Sequence, residues 1–219
     1  SGMNILLDVL AYNTHYLGFN ANMLANEMFL DSASLRSSIV SHSKTLGYVP
    51  TSARAAKATV DVTLNTNETT ITMPAGTVFN TTVDAISYKF STITDITKSN
   101  TGGGILFLNT DIYEGTFITT RYTVNTSDID QRFLLTDNRA DTSTLTVKVQ
   151  TSSTDTSSTT YTEATDITQV TASSAVYFLQ EVEAGLYEIY FGDGVIGQAL
   201  SDDNIVILTY IVSNKSAAN

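Results

Sequence analysis

The residues of this chain that could do chemistry are mainly carboxylates in three short acidic groups. Asp128 lies near Asp130, Asp137 lies near Asp141, and Asp202 precedes Asp203. Calcium takes about six to eight oxygen ligands, and the loop at 137–141 could supply the first of them. That loop lacks the glycine and the closing glutamate of an EF-hand, and an arginine occupies its centre. Asx-turns and solvated acidic loops explain the three groups more simply, so we predict no metal site.

Other kinds of catalytic site also find little support. A carboxylate pair could hydrolyse glycosides, but sequence spacing does not give the separation that this chemistry requires, and there is no Trp to stack on a sugar. The absence of cysteine removes thiolate ligands and cysteine nucleophiles, and only His15 and His42 remain for a histidine-based site. The run Thr101–Gly104 lacks the Lys-Ser/Thr of a phosphate loop. We therefore predict no catalytic, metal or cofactor-binding residues, and a protein that is not an enzyme.

The charge of the chain excludes further classes of function. Its 219 residues carry 22 acidic and 11 basic side chains, a formal net charge of −11. Such a chain repels phosphate backbones, so a nucleic-acid partner is not expected. The apolar runs are too short for a membrane span or a signal peptide, so no membrane partner is expected either. Residues 1–60 hold four basic and three acidic groups, and residues 61–219 hold seven and nineteen.

The first segment has the periodicity of a helical hairpin. Its apolar residues recur every three or four positions on one stripe, interrupted once by Asn26, and a second apolar stripe lies beside the first. We predict that Asp31 or Ser32 caps a second helix, which ends at Gly47 before Pro50. Two adjacent stripes cover more surface than one packing partner normally hides, so the alternatives are packing on the chain's own β domain and an intermolecular bundle. The first stripe, our predicted partner interface, consists of Ile5, Val9, Tyr12, Tyr16, Phe19, Met23 and Leu30.

After residue 57 the periodicity changes to two, which is typical of strands. The alternation is regular in 58–64 and 116–124, and further strand-like segments follow turns rich in Gly or Asn. Short strands without intervening helices predict an antiparallel β-sandwich or open barrel, and the fold class is therefore α+β with an N-terminal helical hairpin. The low-complexity run at 151–160 is expected to be a long mobile hairpin loop.

Several short motifs resemble a known family when they are taken in order. The segments Asn26–Leu30 and Leu46–Pro50 resemble the N-terminal pattern of baseplate wedge proteins from T-even-type contractile phages, within the wider baseplate J-like family. Residues 71–77, with Gly76 in the turn, resemble that family's strand–turn–strand element. The most recognisable block is 187–194, which contains the motif turn Phe191, Gly192, Asp193 and Gly194. In this turn the glycines are expected to permit positive φ and Asp193 to bond the backbone.

The resemblance implies a structural protein. Members of this family assemble with themselves, as a homodimer or higher oligomer, and with other wedge proteins. The implied location is the virion tail baseplate, assembled in the cytoplasm of a bacterial host, with no cofactor and no small-molecule substrate. The alternative that the residues leave open is a surface-exposed carbohydrate-binding or adhesive β domain, supported by the acidic, Tyr-rich strands and the Ser/Thr-rich loop. An enzyme ranks third.

These observations give an expected domain organisation. Residues 1–2 are expected to be an expression scar, residues 3–56 a helical assembly segment and residues 57–213 the antiparallel β domain. Residues 214–219 are expected to begin a linker to further domains, so that the chain is a fragment of a longer protein.

Overall fold

A computed structural model of the chain describes residues 2–48, 50–128 and 130–214. It confirms the α+β fold class, with helices first and mostly antiparallel strands after them. The chain divides into two compact units, Ser1–Pro50 and Thr51–Asn219, called here the helical unit and the β unit. This division falls several residues before the domain boundary that we predicted between residues 56 and 57. The reason is that residues 52–56 are hydrogen-bonded to strands of the β unit.

The helical unit contains α1 (Gly2–Glu27) and α2 (Arg36–Thr45). The predicted caps of the second helix, Asp31 and Ser32, are wrong because α2 starts later, after an extended Leu35 that makes no side-chain cap. The α2 helix ends as expected: Gly47 has a φ of 74° and its N–H donates to the Lys44 carbonyl. Gly47 adopts this left-handed conformation without strain. A Cβ at this position would meet no neighbouring atom, but the positive φ would strain any L side chain.

The β unit is built from strands numbered here in chain order. They are β1 (Lys57–Leu64), β2 (Thr70–Met73), β3 (Val78–Val83), β4 (Ile86–Ser91), β5 (Ile96–Ser99), β6 (Ile105–Glu114), β7 (Thr116–Thr123), β8 (Phe133–Leu134), β9 (Ala140–Gln150), β10 (Ser158–Glu163), β11 (Val176–Glu181), β12 (Tyr187–Phe191) and β13 (Ile205–Val212). Short 3₁₀ helices lie at Ile167–Gln169 and Glu183–Gly185.

The strands form two main sheets and a separate antiparallel pair, β2 with β5. The first sheet has the order β1-β6-β4-β3, and the second has the order β7-β13-β9-β10-β11-β12-β8. In the second sheet the two edge strands meet, because the Tyr122 hydroxyl of β7 donates to the Leu134 carbonyl of β8 at 2.7 Å. The second sheet is therefore an almost closed barrel. One pair departs from the antiparallel expectation, since β10 runs parallel to β11.

Each main sheet has its own apolar core. The larger core fills the seven-stranded sheet with aliphatic and aromatic side chains that include Leu135, Val206 and Tyr210, all fully buried. Edge-to-face contacts among Phe133, Tyr161 and Phe191 close one side of this core. The smaller core consists of Met73, Ile105 and Phe107 with the apolar side chains around them. Because every member of both cores lies in the β unit, that unit buries its apolar surface internally.

One predicted segment differs from the structure. The run at 151–160 is a hairpin connection only up to residue 157, because Ser158 already pairs with Gln150 at the start of β10. That connection is stabilised by hydrogen bonds of Ser152 and Asp155, and it is shorter than the sequence predicted. At the termini, Gly2 begins α1 while Ser1 lies outside the described residues, and the expected linker at 214–219 lies outside them except for Asn214.

Candidate assembly surface

The predicted partner interface forms a continuous stripe along α1. At about 100° per residue, its six helical members from Ile5 to Met23 fall within an arc of about 80°. Leu30, the seventh member, lies in the turn after the end of α1 at Glu27. The structure thus places six of the seven side chains on one face of one rigid element, and the seventh next to its end.

This stripe is exposed along its whole length. The exposed fraction of its side chains ranges from 39% for Met23 to 67% for Ile5. Exposed single apolar residues are ordinary on protein surfaces, but contiguous apolar patches mark sites of interaction. Within the described residues of α1 no side chain is buried at all.

A second exposed stripe widens the apolar surface of α1. Leu6, Leu10, Leu17 and Leu24 lie beside the first stripe, and each has more than half of its area in solvent. A helix that is apolar over so broad an arc resembles a helix of a bundle interior more than one with a single packing face. The opposite side, around His15 and Asn22, is polar, so α1 still has one face suited to water.

Two tyrosines stand at the middle of the stripe in mutual contact. The rings of Tyr12 and Tyr16 are 4.5 Å apart at an angle of 51°, as expected for side chains one turn apart on a helix. A side-chain hydrogen bond with Tyr16 raises the pKa of Tyr12. His15 lies edge-on to Tyr16 at 6.2 Å. The pair offers a large aromatic surface with polar tips, a composition common at interfaces.

The end of α1 holds the start of α2 through one carboxylate. Glu27 Oε1 accepts from the Ser34 N–H at 2.9 Å and from the Ser34 hydroxyl at 2.7 Å, and the Leu35 N–H also donates to this carboxylate. Hydrogen bonds from Ser38, Ser34 and Leu35 lower the pKa of Glu27 to about 2. Glu27 therefore fixes the two residues that lead into α2, Ser34 and Leu35, without capping the first turn of that helix.

The second histidine also contributes to this turn. Its ring Nε2 lies 2.9 Å from the Glu27 carbonyl oxygen and is half-buried. His42 thus helps to hold the C-terminal end of α1, whose last carbonyls have no partner within the helix.

The family motif turn at 191–194 is stabilised by hydrogen bonds between the Asp193 side chain and the backbone that follows it. Asp193 Oδ1 accepts from the N–H groups of Val195 (2.9 Å) and Ile196 (3.0 Å), and these bonds lower the pKa of Asp193. Gly194 has a φ of 87°, as expected for this turn. Gly192 differs from the expectation: it has no positive φ, and a Cβ there would lie 2.3 Å from the Gly197 carbonyl carbon. Close backbone approach explains that glycine.

The other motif glycine, Gly76, combines both reasons. Its φ is 81°, and its N–H donates to the Thr92 carbonyl at 2.8 Å. A Cβ on Gly76 would also lie 2.8 Å from the ring of Phe117. The strand–turn–strand element around Gly76 is therefore packed against the first residues of β7.

The three acidic groups have structural partners. Asp137 pairs with Arg139 at 2.8 Å, and Asp202 accepts from the Thr126 N–H at 2.9 Å. Asp128 accepts from the Asp130 N–H, and Ile129 between them lies outside the described residues. Buried Asp141 accepts from the backbone N–H of Ser143, an Asx-type contact. Across residues 2–48, 50–128 and 130–214, no three His, Cys, Asp or Glu side chains group as metal ligands would.

The glycine-rich run at 101–104 is a turn stabilised by hydrogen bonds to Asn100. Asn100 Oδ1 accepts from the N–H groups of Gly102 (2.9 Å) and Gly104 (3.2 Å). A Cβ on Gly104 would lie 2.6 Å from the Leu64 carbonyl oxygen. This turn lines a polar depression of about 660 Å³ together with 65–69.

Comparison with known proteins bears on both units. Residues 1–48 match the family described as "Baseplate wedge protein gp6-like, helical domain", and residues 118–218 match "Bacteriophage baseplate wedge protein gp6, third domain". Both regions are therefore similar to domains of gp6. The whole chain is also similar to the baseplate wedge protein gp6 of Enterobacteria phage T4, at 27% identity, and spans about a third (35%) of the length of that relative.

The gp6-like helical match covers all six helical members of the stripe and Leu30. The gp6 third-domain match covers the motif turn and most of the seven-stranded sheet. No helix among the described residues is both long enough and apolar enough to cross a membrane.

Sequence reasoning missed the residues that hold these surfaces in place. Glu27 was overlooked because its partners lie seven and eight residues along the chain, beyond the spacing of a capping box. The structural roles of buried Glu114 and Asp141 were not predicted because carboxylates are almost never fully buried, and nothing local marks these two as exceptions.

Proposed function

We propose that this chain is a structural, non-enzymatic part of a contractile phage tail baseplate wedge, with the exposed stripe of α1 as its assembly interface. The observation that carries the proposal is the coincidence of a gp6-like helical region with a helix that is apolar over two adjacent stripes and exposed throughout. Apolar surface of this kind is stabilised only when a partner covers it and removes it from water.

The proposed partners are a second copy of this chain and other baseplate wedge proteins. The heptad-like spacing of the stripe supports a helical bundle, because residues at this spacing form a seam between helices. The proposed location is the tail baseplate of the virion, after assembly in the host cytoplasm. Membership of the wider baseplate J-like family is part of the proposal, supported by the ordered motifs at 71–77 and 187–194.

The interface is tested by charge substitution on the two sides of α1. Tyr16→Asp places a charge in the middle of the stripe, and Asn22→Asp places the same charge on the polar side as a matched control. Light scattering over a range of concentrations should show self-association of the unaltered chain and of Asn22→Asp. Tyr16→Asp should weaken it at least tenfold, because burying an unpaired carboxylate costs several kcal/mol. Equal association of both variants would contradict the assignment.

The location has a separate test. An antibody raised against the β unit should label the distal end of the tail in electron micrographs of intact virions. Labelling elsewhere on the particle, or no labelling of virions that contain the chain by mass spectrometry, would contradict the baseplate role.

The carbohydrate-binding alternative gains no specific support from the described residues. The polar depression at 65–69, 100 and 102–104 is lined by Asn, Thr, Glu and Gly residues, and none of these is an aromatic platform for a sugar. Asn100, one of the lining residues, already donates its amide Nδ2 to the Thr66 and Glu68 carbonyls. Selective binding on a glycan array by a strictly monomeric chain would favour this alternative.

A further inference from the structure

The segment that leads into the β unit, residues 52–56, is tied to two strands. We call it the incoming segment. Its Ser52 Oγ accepts from the Thr142 N–H at 2.9 Å, and its Ala55 N–H donates to Asp141 Oδ2 at 2.8 Å. Asp141 is 1% exposed, so this second bond is shielded from water. The Ala56 carbonyl accepts from the Glu114 N–H at 2.8 Å.

The segment that leaves the last strand, residues 213–214, is tied to the same corner. We call it the outgoing segment. Its Ser213 N–H donates to the Arg139 carbonyl at 3.1 Å. Asn214 donates twice to one carboxylate, from its N–H to Glu114 Oε2 at 3.2 Å and from Nδ2 to Oε1 at 2.6 Å. The two segments are thus bonded to neighbouring residues, 139 and 141, at the start of β9.

Glu114 is the residue common to both segments. Its backbone bonds the incoming segment and its side chain bonds the outgoing one, and the whole residue is fully buried. The adjacent Gly115 brings the backbone against β13, since a Cβ there would lie 2.3 Å from the Val212 carbonyl oxygen. A buried carboxylate is costly unless donors satisfy it, so loss of the outgoing segment would leave a poorly satisfied charge.

We propose that Glu114 couples the incoming and outgoing segments, so that the two are released together and not separately. The coupled corner acts as a latch. It holds the incoming and outgoing segments next to each other. When the two segments are pulled apart, the corner can open while the strands of the seven-stranded sheet stay paired. This inference concerns contacts within the β unit and does not depend on the partners proposed above.

The latch predicts a reciprocal effect on amide hydrogen exchange. Asn214→Ala removes one side-chain bond from the outgoing segment. It should nevertheless speed exchange at Ala55 and at Glu114, whose N–H groups belong to the incoming contacts, by roughly tenfold or more, given the strength of hydrogen bonds to charged groups. In the other direction, Asp141→Asn should speed exchange at Ser213, because coupling between two sites is reciprocal.

The matched control is Asn204→Ala, at the opposite end of β13. Asn204 also holds a loop through its amide, which donates to the Thr151 carbonyl at 2.9 Å. This variant should leave exchange at Ala55 unchanged. Glu114→Gln is a second variant that keeps the shape of the side chain but replaces one acceptor oxygen with a donor, and it should reproduce the effect of Asn214→Ala.

Two results would overturn the proposal. In the first, Asn214→Ala speeds exchange at Ser213 alone and leaves Ala55 and Glu114 unchanged, which means that the two segments open independently. In the second, exchange rises equally at the core residues Val147 and Leu208, which means that the corner has no local opening of its own.

Discussion

At the scale of single residues, close backbone contacts determine which glycines the fold requires. Gly192 has an ordinary φ, yet a Cβ there would collide with the backbone of Gly197 and Ile196. We expect Gly192→Ala to lower the free energy of unfolding by about 1–3 kcal/mol, the range for overpacked sites. Urea denaturation of the β unit measures this change. Gly103→Ala is the control, because nothing lies within 4 Å of that position, and it should be neutral or slightly stabilising.

The Glu27 carboxylate predicts how the helical unit responds to acid. Its pKa is lowered from 4.5 to about 2, so the folded state favours the ionised form. The contribution of Glu27 is therefore fully present above about pH 4.5 and is lost as the pH falls toward 2. Helical circular dichroism should decrease across this window, and Glu27→Gln should give the lower helicity already at pH 7.

Asp31→Asn provides the control for this titration. The structure gives Asp31 no role in capping α2, so this variant should titrate like the unaltered chain. If Asp31→Asn removed the pH dependence and Glu27→Gln did not, the cap that the sequence suggested would be right and the contacts of Glu27 would be wrong.

At the scale of elements, the hydrophobic period identified the strands with regular alternation and missed those without it. The strands β1 and β7 alternate, and they were predicted nearly to their ends. The strand β6 was missed because its register shifts opposite Val60 and Val62, and Asn109 has a φ of 53°. A bulge of this kind moves side chains to the other face and hides the period from the sequence.

The candidate interface was easier to predict than the latch for a related reason. The stripe from Ile5 to Met23 is encoded locally, by spacing within one helix. In contrast, the bond between Glu114 and Asn214 joins residues 100 positions apart. No periodicity records such a contact, and only the folded sheet brings the two side chains together.

Closure of the seven-stranded sheet gives a prediction at this scale. The Tyr122 hydroxyl bonds the Leu134 carbonyl and so joins the two edge strands, and burial raises the pKa of Tyr122. Tyr122→Phe should reduce the free energy of unfolding by about 0.5–1.5 kcal/mol, because the partly buried Leu134 carbonyl loses its donor. Urea denaturation is the measurement. Tyr190→Phe, on an exposed ring stacked on Phe178, should cost less. An equal loss in both variants would contradict the closing role.

At the scale of the whole molecule, the two units differ in how they can be stable. The β unit contains both apolar cores, whereas Val40 is the one buried apolar side chain among the described residues of the helical unit. The α1 helix has 26 residues, among them several Asn and Gly18 in its interior, so intrinsic helix propensity contributes little to its stability. Such a helix normally depends on the packing of an apolar face. The helical unit should therefore depend on association, and the β unit should not.

Thermal unfolding separates these two sources of stability. Melting of the helical signal at 222 nm should shift to higher temperature as the protein concentration rises a hundredfold, because association stabilises only the folded partner. The β-unit transition, followed by near-ultraviolet circular dichroism of its buried tyrosines, should stay at one temperature. Tyr16→Asp should abolish the shift of the first transition and leave the second unchanged, while Asn22→Asp should preserve both. A helical transition that is independent of concentration in every variant would mean that α1 is stable without a partner, and the exposed stripe would lose its energetic argument as an assembly surface.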